Sequence, residues 1–339
     1  MKRKHFISSA VVALSSLRAF SSVLTENKEE NLPPKTPPYL RKGDRIGILS
    51  PAGNISAEDC RVAIKTMQEW GFSIKLGATI GKKDFTFGGT DEERRSDFQQ
   101  MLDDGSVKAI MCARGGYGLL RIINQLNFKK FLQRPKWIIG FSDATVLHSH
   151  IARNFSIATI HSKMCNSFVD PAKAEPVQTE TIDMIRKCLV GVKMKYEAPV
   201  NPFNKKGVAK GMLTGGNLKT LETLAGSTSD IITKNKILFV EDTGEYLYSI
   251  DRMFWNLQRS GKLSGLAGLI IGGFKIKPDD EGEEFGKSLQ EIVLEKTAKY
   301  HYPVCFDFPV GHQKNNVALK CGVMHRLRVE NNAVILEEI

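Results

Sequence analysis

The chain has 339 residues, of which 42% are hydrophobic and 25% charged, enough for two domains with real cores and unlike a disordered protein. Its formal charge of +11 is concentrated early: residues 1–45 hold nine Lys/Arg against four Asp/Glu, and the remaining excess is spread thinly. With no basic run interleaved with aromatics and no Cys-x-x-Cys pair among six dispersed cysteines, nucleic acid, a zinc site and a disulfide framework are all excluded as expectations.

Residues 1–25 have the make-up of an address. A basic "MKRKHF" precedes the uncharged "FISSAVVALSSL", and small residues follow around Ala19 to Ser22. The uncharged stretch falls short of the roughly 20 apolar residues of a spanning helix, so export to the periplasm is expected and stable membrane insertion is not. Arg3-Lys4-His5-Phe6-Ile7 resembles a variant twin-arginine signal, a Sec signal being the other route; cytoplasmic residence is the alternative. Residues 26–41, with "NLPPKTPPYLRKG", read as a Pro-rich linker ending where the folded body begins near Leu40.

Residues 42–169 alternate between strand and helix patterns in the manner of a parallel sheet with crossover helices. "RIGILS" is the first strand, and Ser56 with Asp59 forms a capping-box pattern opening a helix that ends at Gly71. "FSIKLG" is a second strand, Thr90 with Glu93 opens a second helix, and "VKAIMCA" is a third strand running into the glycine-rich "RGGYG". "KWIIG", the helix "DATVLHSHIA" and the strand "IATIHS" complete this half.

Residues 170–204 change character and read as an interdomain connection carrying one helix. In residues 205–339, a Gly-Gly turn precedes a short helix, "KILFVED" delivers carboxylates to a strand end, and "YSIDRMFWNLQRSG" is an amphipathic helix. "LAGLIIGGF" is a buried strand, "FPVGHQKNNVAL" a loop, and the C-terminus a hairpin turning at Asn331-Asn332.

In open parallel sheets, ligands sit beyond the carboxyl ends of the strands. "ARGGYG", "GFSDAT" and "FVEDTGE" all fall there. Ser142 has the strand, sharp turn and helix context of a nucleophile elbow, matched in part because Ala144 stands where the hydrolase pattern has glycine. The Asp143 backbone N–H, at a helix start, is a ready oxyanion donor. A plain helix cap is the competing reading for Ser142. Of seven histidines, His161 and His312 are the positions from which a base could reach it. Glu241 or Asp242 could orient such a base, or could simply cap a helix or form a salt bridge. The glycine turn lacks the Walker lysine, which disfavours phosphate.

In their order and spacing, "GDRIGILSPAG", "ARGGYG", "GFSDAT", "GMLTGGNL", "LFVEDTGE" with "IDRM", "GLIIGGF" and "FPVGHQKNN" resemble the serine LD-carboxypeptidases, the muramoyl-tetrapeptide carboxypeptidase family that includes the microcin C self-immunity proteins. The resemblance runs from about Lys42 to the C-terminus. It implies an α/β fold, with a flavodoxin-like or glutaminase-like N-terminal domain followed by a smaller swivelling β/α domain, as a homodimer. It implies Ser142 as nucleophile, His312 as base and Glu241 as the acid that orients it, with backbone N–H groups of Asp143 and Gly116 as oxyanion hole. No metal and no cofactor is implied. The expected substrate is a peptidoglycan tetrapeptide that releases D-alanine through an acyl-enzyme. Arg114 and Tyr117 are the expected substrate-binding residues, Arg114 holding the terminal carboxylate unless it forms an ordinary structural salt bridge. Two departures bear on substrate preference: His161-Ser162-Lys163 stands where the family has His-Gly-Pro, and Lys320 where it has proline. The competing functions are an immunity-type amidase acting on aminoacyl-sulfamoyl or phosphoramidate nucleotides, and an exported peptide-binding protein without turnover.

Overall fold

The computed structural model describes residues 33–339; the expected export signal and the first part of the expected linker lie outside the described residues. Two sheets organise the chain. The first has β1 (Arg45–Leu49), β2 (Ser73–Leu76), β3 (Val107–Cys112), β4 (Trp137–Gly140) and β5 (Thr159–His161), all parallel, in the order β2-β1-β3-β4-β5. This is the flavodoxin-like order, whose direction reverses between β1 and β3 and so opens a crevice at their carboxyl ends. Between the strands run α1 (Ala57–Glu69), α2 (Asp91–Asp103), the short α3 (Leu119–Ile122) and α4 (Lys129–Gln133), and α5 (Thr145–Phe155). The expected capping boxes are present at Ser56/Asp59 and Thr90/Glu93, each side chain satisfying the other residue's backbone N–H.

The second sheet carries seven strands. β7 (Gly207–Asn217), β8 (Lys236–Glu245), β9 (Gly268–Ile276) and β10 (Val304–Cys305) are parallel; β12 (Met324–Val329), β13 (Val334–Glu338) and β6 (Lys195–Ala198) extend it antiparallel beyond β7. Helices α7 (Leu218–Thr223), α8 (Leu247–Arg259) and α9 (Leu289–Thr297) bury their apolar faces with Leu238, Val240, Leu269 and Ile271 in one core. The C-terminal hairpin turns at Asn331-Asn332 as expected, with Glu330 N–H donating to Ala333 O.

The boundaries differ from the expected ones in three places. Residues 33–41 are not a free linker: Lys35 bridges Ile157, Pro38 O accepts from Trp137 Nε1 at 3.1 Å, Tyr39 stacks on Trp137, and Leu40 enters the core. Proline lacks an N–H to donate, but its carbonyl remains an acceptor and the extended chain can lie along a surface. The expected connection 170–204 contains β6, a full member of the second sheet, and α6 (Pro176–Leu189), which packs in the core under the first. The expected C-terminal domain 205–339 gives up β11 (Leu319–Cys321), which pairs antiparallel with β5 and closes the first sheet. Among the described residues no helix is long and apolar enough to cross a membrane.

Candidate active site

The crevice at the β1/β3 switch is built by Arg94 of α2, fully buried, whose Nη1 donates to Pro51 O at 2.8 Å and to Gly118 O at 2.9 Å. One guanidinium thereby fixes both the loop after β1 and the glycine turn after β3. The turn approaches closely: Gly53 N–H donates to Gly115 O at 2.9 Å, and a Cβ on Gly53 would stand 2.7 Å from that oxygen.

Ser142 follows β4 with only Phe141 between them. Its φ of +61° is left-handed backbone, which an L residue with a side chain adopts only under constraint, and its hydroxyl caps neither the short 3₁₀ turn at Ser142–Ala144 nor α5. The cap reading is therefore removed. Two glycines make the geometry possible. A Cβ on Gly140 would lie 2.8 Å from Ala144 Cβ, and one on Gly115 would lie 3.2 Å from Ser142 Oγ. Asp143 is buried, its carboxylate accepting from Leu119 N–H at 2.9 Å, and burial pushes its pKa up to about 6 against the Leu119 bond and the Arg94 charge. Gly116, at φ +101°, lines the same cavity of about 260 Å³ as Ser142, Asp143 and Tyr117.

The second sheet supplies the other groups. Glu241 lies on β8, wholly buried, and its Oε2 meets His312 Nδ1 at 2.7 Å. Gly311 permits this contact, since at φ +109° it has no side chain to strike Glu241 Oε2 only 2.8 Å away. Asn316 Oδ1 holds the loop by accepting from Gly311 N–H at 2.9 Å. The His312 ring rests against Phe141, the neighbour of Ser142, with centroids 4.8 Å apart. Among the described residues no hydrogen bond joins Ser142 to His312.

Two further buried histidines near the site, His148 and His161, lack an orienting carboxylate. His148 is buried and bonded to Thr159 Oγ1 and Gly140 O, and burial lowers its pKa to about 4. His161, fully buried against Phe141 and Phe239, has no partner on either ring nitrogen. Of the two histidines left open by the sequence, only His312 has an orienting carboxylate.

Residues 46–162 match the LD-carboxypeptidase N-terminal domain, and residues 210–327 match the LD-carboxypeptidase C-terminal domain. The chain belongs to the LD-carboxypeptidase family. A probable murein peptide carboxypeptidase of Bacillus subtilis is 29% identical over 303 residues, spanning 89% of this chain and 94% of that one. Among solved structures, the muramoyltetrapeptide carboxypeptidase from Oxalobacter formigenes superposes with a TM-score of 0.76 at 26% identity, over 87% of this chain and 98% of its own. MccF in complex with glutamyl sulfamoyl guanosine shares the fold with a TM-score of 0.78 at 23% identity, over 90% of this chain and 99% of its own.

Within this family fold, two expected substrate contacts fare differently. Tyr117 lines the Ser142 cavity and is half-exposed. Arg114 does not line the Ser142 cavity; its Nη1 donates to Asn54 O at 2.7 Å, so it braces the loop after β1 rather than forming a salt bridge. Sequence reasoning passed over Asn217, Lys219 and Glu245, and weighed Asp242 only beside Glu241 as an acid that could orient a base; all four line the Ser142 cavity from the second half of the chain. Asn217 caps α7 and donates from Nδ2 to Asp242 at 2.9 Å, and burial raises the Asp242 pKa to about 6. The "GGNLK" and "EDTGE" strings held these residues, but nothing in one strand's pattern says which neighbouring strand end it faces.

Proposed function

We propose that the protein is a serine LD-carboxypeptidase that removes the terminal D-alanine of peptidoglycan tetrapeptides. The observation that carries the reading is the 2.7 Å bond from His312 Nδ1 to the buried Glu241, on a ring packed against the neighbour of a serine held at positive φ. The matched family and the muramoyltetrapeptide carboxypeptidase of similar fold support it.

Glu241 fixes the tautomer: with Nδ1–H donated to the carboxylate, Nε2 is left as the base. His312 takes the Ser142 proton as Oγ attacks the carbonyl of the L-D bond, and Glu241 stabilises the imidazolium. Backbone N–H groups of Asp143 and Gly116 receive the oxyanion, a contribution of roughly 2.7 to 4 kcal/mol per donor. His312 then protonates the leaving amine, D-alanine departs, and water hydrolyses the acyl-enzyme. The leader in residues 1–25 supports action outside the cytoplasm, testable by whether the mature N-terminus found by mass spectrometry falls after that segment.

The test is incubation of the protein and its Ser142→Ala variant with L-Ala-D-Glu-meso-diaminopimelate-D-Ala, reading free D-alanine. Release by the wild type and at least a ~10³-fold loss in the variant is expected. No release by either, with turnover of an aminoacyl-sulfamoyl nucleotide in a parallel tube, would replace the carboxypeptidase with the immunity-type reaction.

A further inference from the structure

Two cavities adjoin the site, and they differ in charge. The one beside Ser142 brings Asp143, Asp242 and Glu245 together with a single lysine, Lys219. The other, of about 420 Å³, is lined by His312 and Phe141 with Lys163, Lys275, Lys314 and Gln178, and no carboxylate is among its lining residues.

Lys163 is unlike its two companions. Lys275 is exposed and Lys314 pairs with Glu175 at the surface, whereas Lys163 is 4% exposed. Its Nζ donates to Thr181 Oγ1 at 2.7 Å, and no carboxylate pairs with it. An ammonium has three donors, and burying one without an anion is costly, so such a group lowers its pKa or waits for a counter-charge. Burial indeed pulls the Lys163 pKa down to about 8. Thr181 does not need the lysine, since its Oγ1 also donates to its own helix at Val177 O, 2.9 Å away.

Peptide chemistry supplies the counter-charge. The imidazole that protonates a leaving amine stands within hydrogen-bond reach of that nitrogen. In a C-terminal amino acid the carboxylate is only two bonds further on, within about 4 Å by standard bond lengths. The leaving residue therefore lies on the His312 side of the serine, in the lysine-lined cavity, and its carboxylate arrives where cations wait. We infer that Lys163 is the residue that binds the substrate's terminal carboxylate, making this cavity the subsite for the leaving D-amino acid. The inference rests on the carboxypeptidase reading and moves the role expected of Arg114, which follows β3, to a residue that follows β5 of the same sheet.

The test compares the tetrapeptide with its C-terminal amide as substrates for wild type, Lys163→Met, Lys163→Gln and Lys163→Arg, with thermal melts to verify folding. Wild type is expected to prefer the free acid by on the order of 30-fold or more in kcat/KM, as for a buried charge-assisted contact. That preference falls to near parity in Lys163→Met and Lys163→Gln, mainly through KM, and returns in part in Lys163→Arg. An acid-to-amide ratio unchanged by the substitutions, or no preference in the wild type, overturns the inference while leaving D-alanine release intact. Absence of release by the wild type overturns the carboxypeptidase reading and the inference with it.

Discussion

Asp143 shows how one position carries two separable properties. Its backbone N–H is the proposed oxyanion donor, while its carboxylate is buried next to Ser142, where desolvation outweighs the Leu119 bond and the Arg94 charge and raises its pKa from 3.8 to about 6. The folded protein then holds this proton more tightly than the unfolded chain, so the associated stability is complete below about pH 3.8 and is lost as pH rises through about 6. Asp143→Asn keeps an acceptor for Leu119 N–H and the oxyanion donor but has no charge to bury. Its stability relative to wild type should rise between pH 4 and 6 by as much as about 3 kcal/mol, at 1.36 kcal/mol per pH unit. Urea unfolding of both proteins at four or five pH values reads this; a difference that stays flat would mean that Asp143 remains charged throughout. At this scale the sequence was legible where chemistry needs an unusual backbone: Gly140 before Ser142 and Gly311 before His312 both mark close approaches. Lys163 was visible only as a departure from the family string, because burial of a lysine is decided by α6 packing over it, not by its neighbours in sequence.

Among elements, those with local codes were read well and those defined by a distant partner were not. The capping boxes of α1 and α2 and the Asn331-Asn332 turn are short-range chemistry, written within four residues. β6 and β11 are four and three residues long, and what makes them strands is β13 and β5 beside them. Lys320 in β11 shows what holds such a strand. It is fully buried, donates from Nζ to Val192 O at 2.9 Å and pairs with Glu338 of β13 at 3.0 Å, linking the first sheet to the second. Lys320→Ala strands the Glu338 carboxylate in the interior and should cost about 3 to 5 kcal/mol. Lys320→Met combined with Glu338→Leu should recover most of that loss, since no charge is then left unpaired. Denaturant unfolding of the three variants checks it, and a loss below about 1 kcal/mol for Lys320→Ala would show the strand to be held by its backbone ladder alone.

The proposed triad takes its serine from the first sheet and its glutamate and histidine from the second sheet and its loop, so its alignment depends on how the sheets are tied. The change of character over residues 170–204 suggested a connection between two separate domains; the chain crosses between the two sheets more than once. β11 returns to the first sheet, α6 packs beneath it, and one continuous core contains Ile46, Met111 and Trp137 of the first sheet with Leu213, Phe239 and Leu327 of the second. At the seam, Asn217 N–H at the end of β7 donates to Thr145 Oγ1 at the start of α5, 3.0 Å away. Domains that separate freely melt separately, whereas halves that share a strand and a core lose both when either opens. Residues 34–339 should therefore unfold in one cooperative transition, with a calorimetric enthalpy equal to the van't Hoff enthalpy and hydrolytic activity lost at the same denaturant concentration as far-UV ellipticity. Two resolved transitions, or activity lost well before the secondary structure, would mean that the seam opens while each sheet survives. In that case the 2.7 Å Glu241–His312 contact, which lies wholly within the second sheet and its loop, would outlast the alignment with Ser142. Substrate binding across the crevice would then raise the first transition selectively, by an amount that follows the ligand concentration.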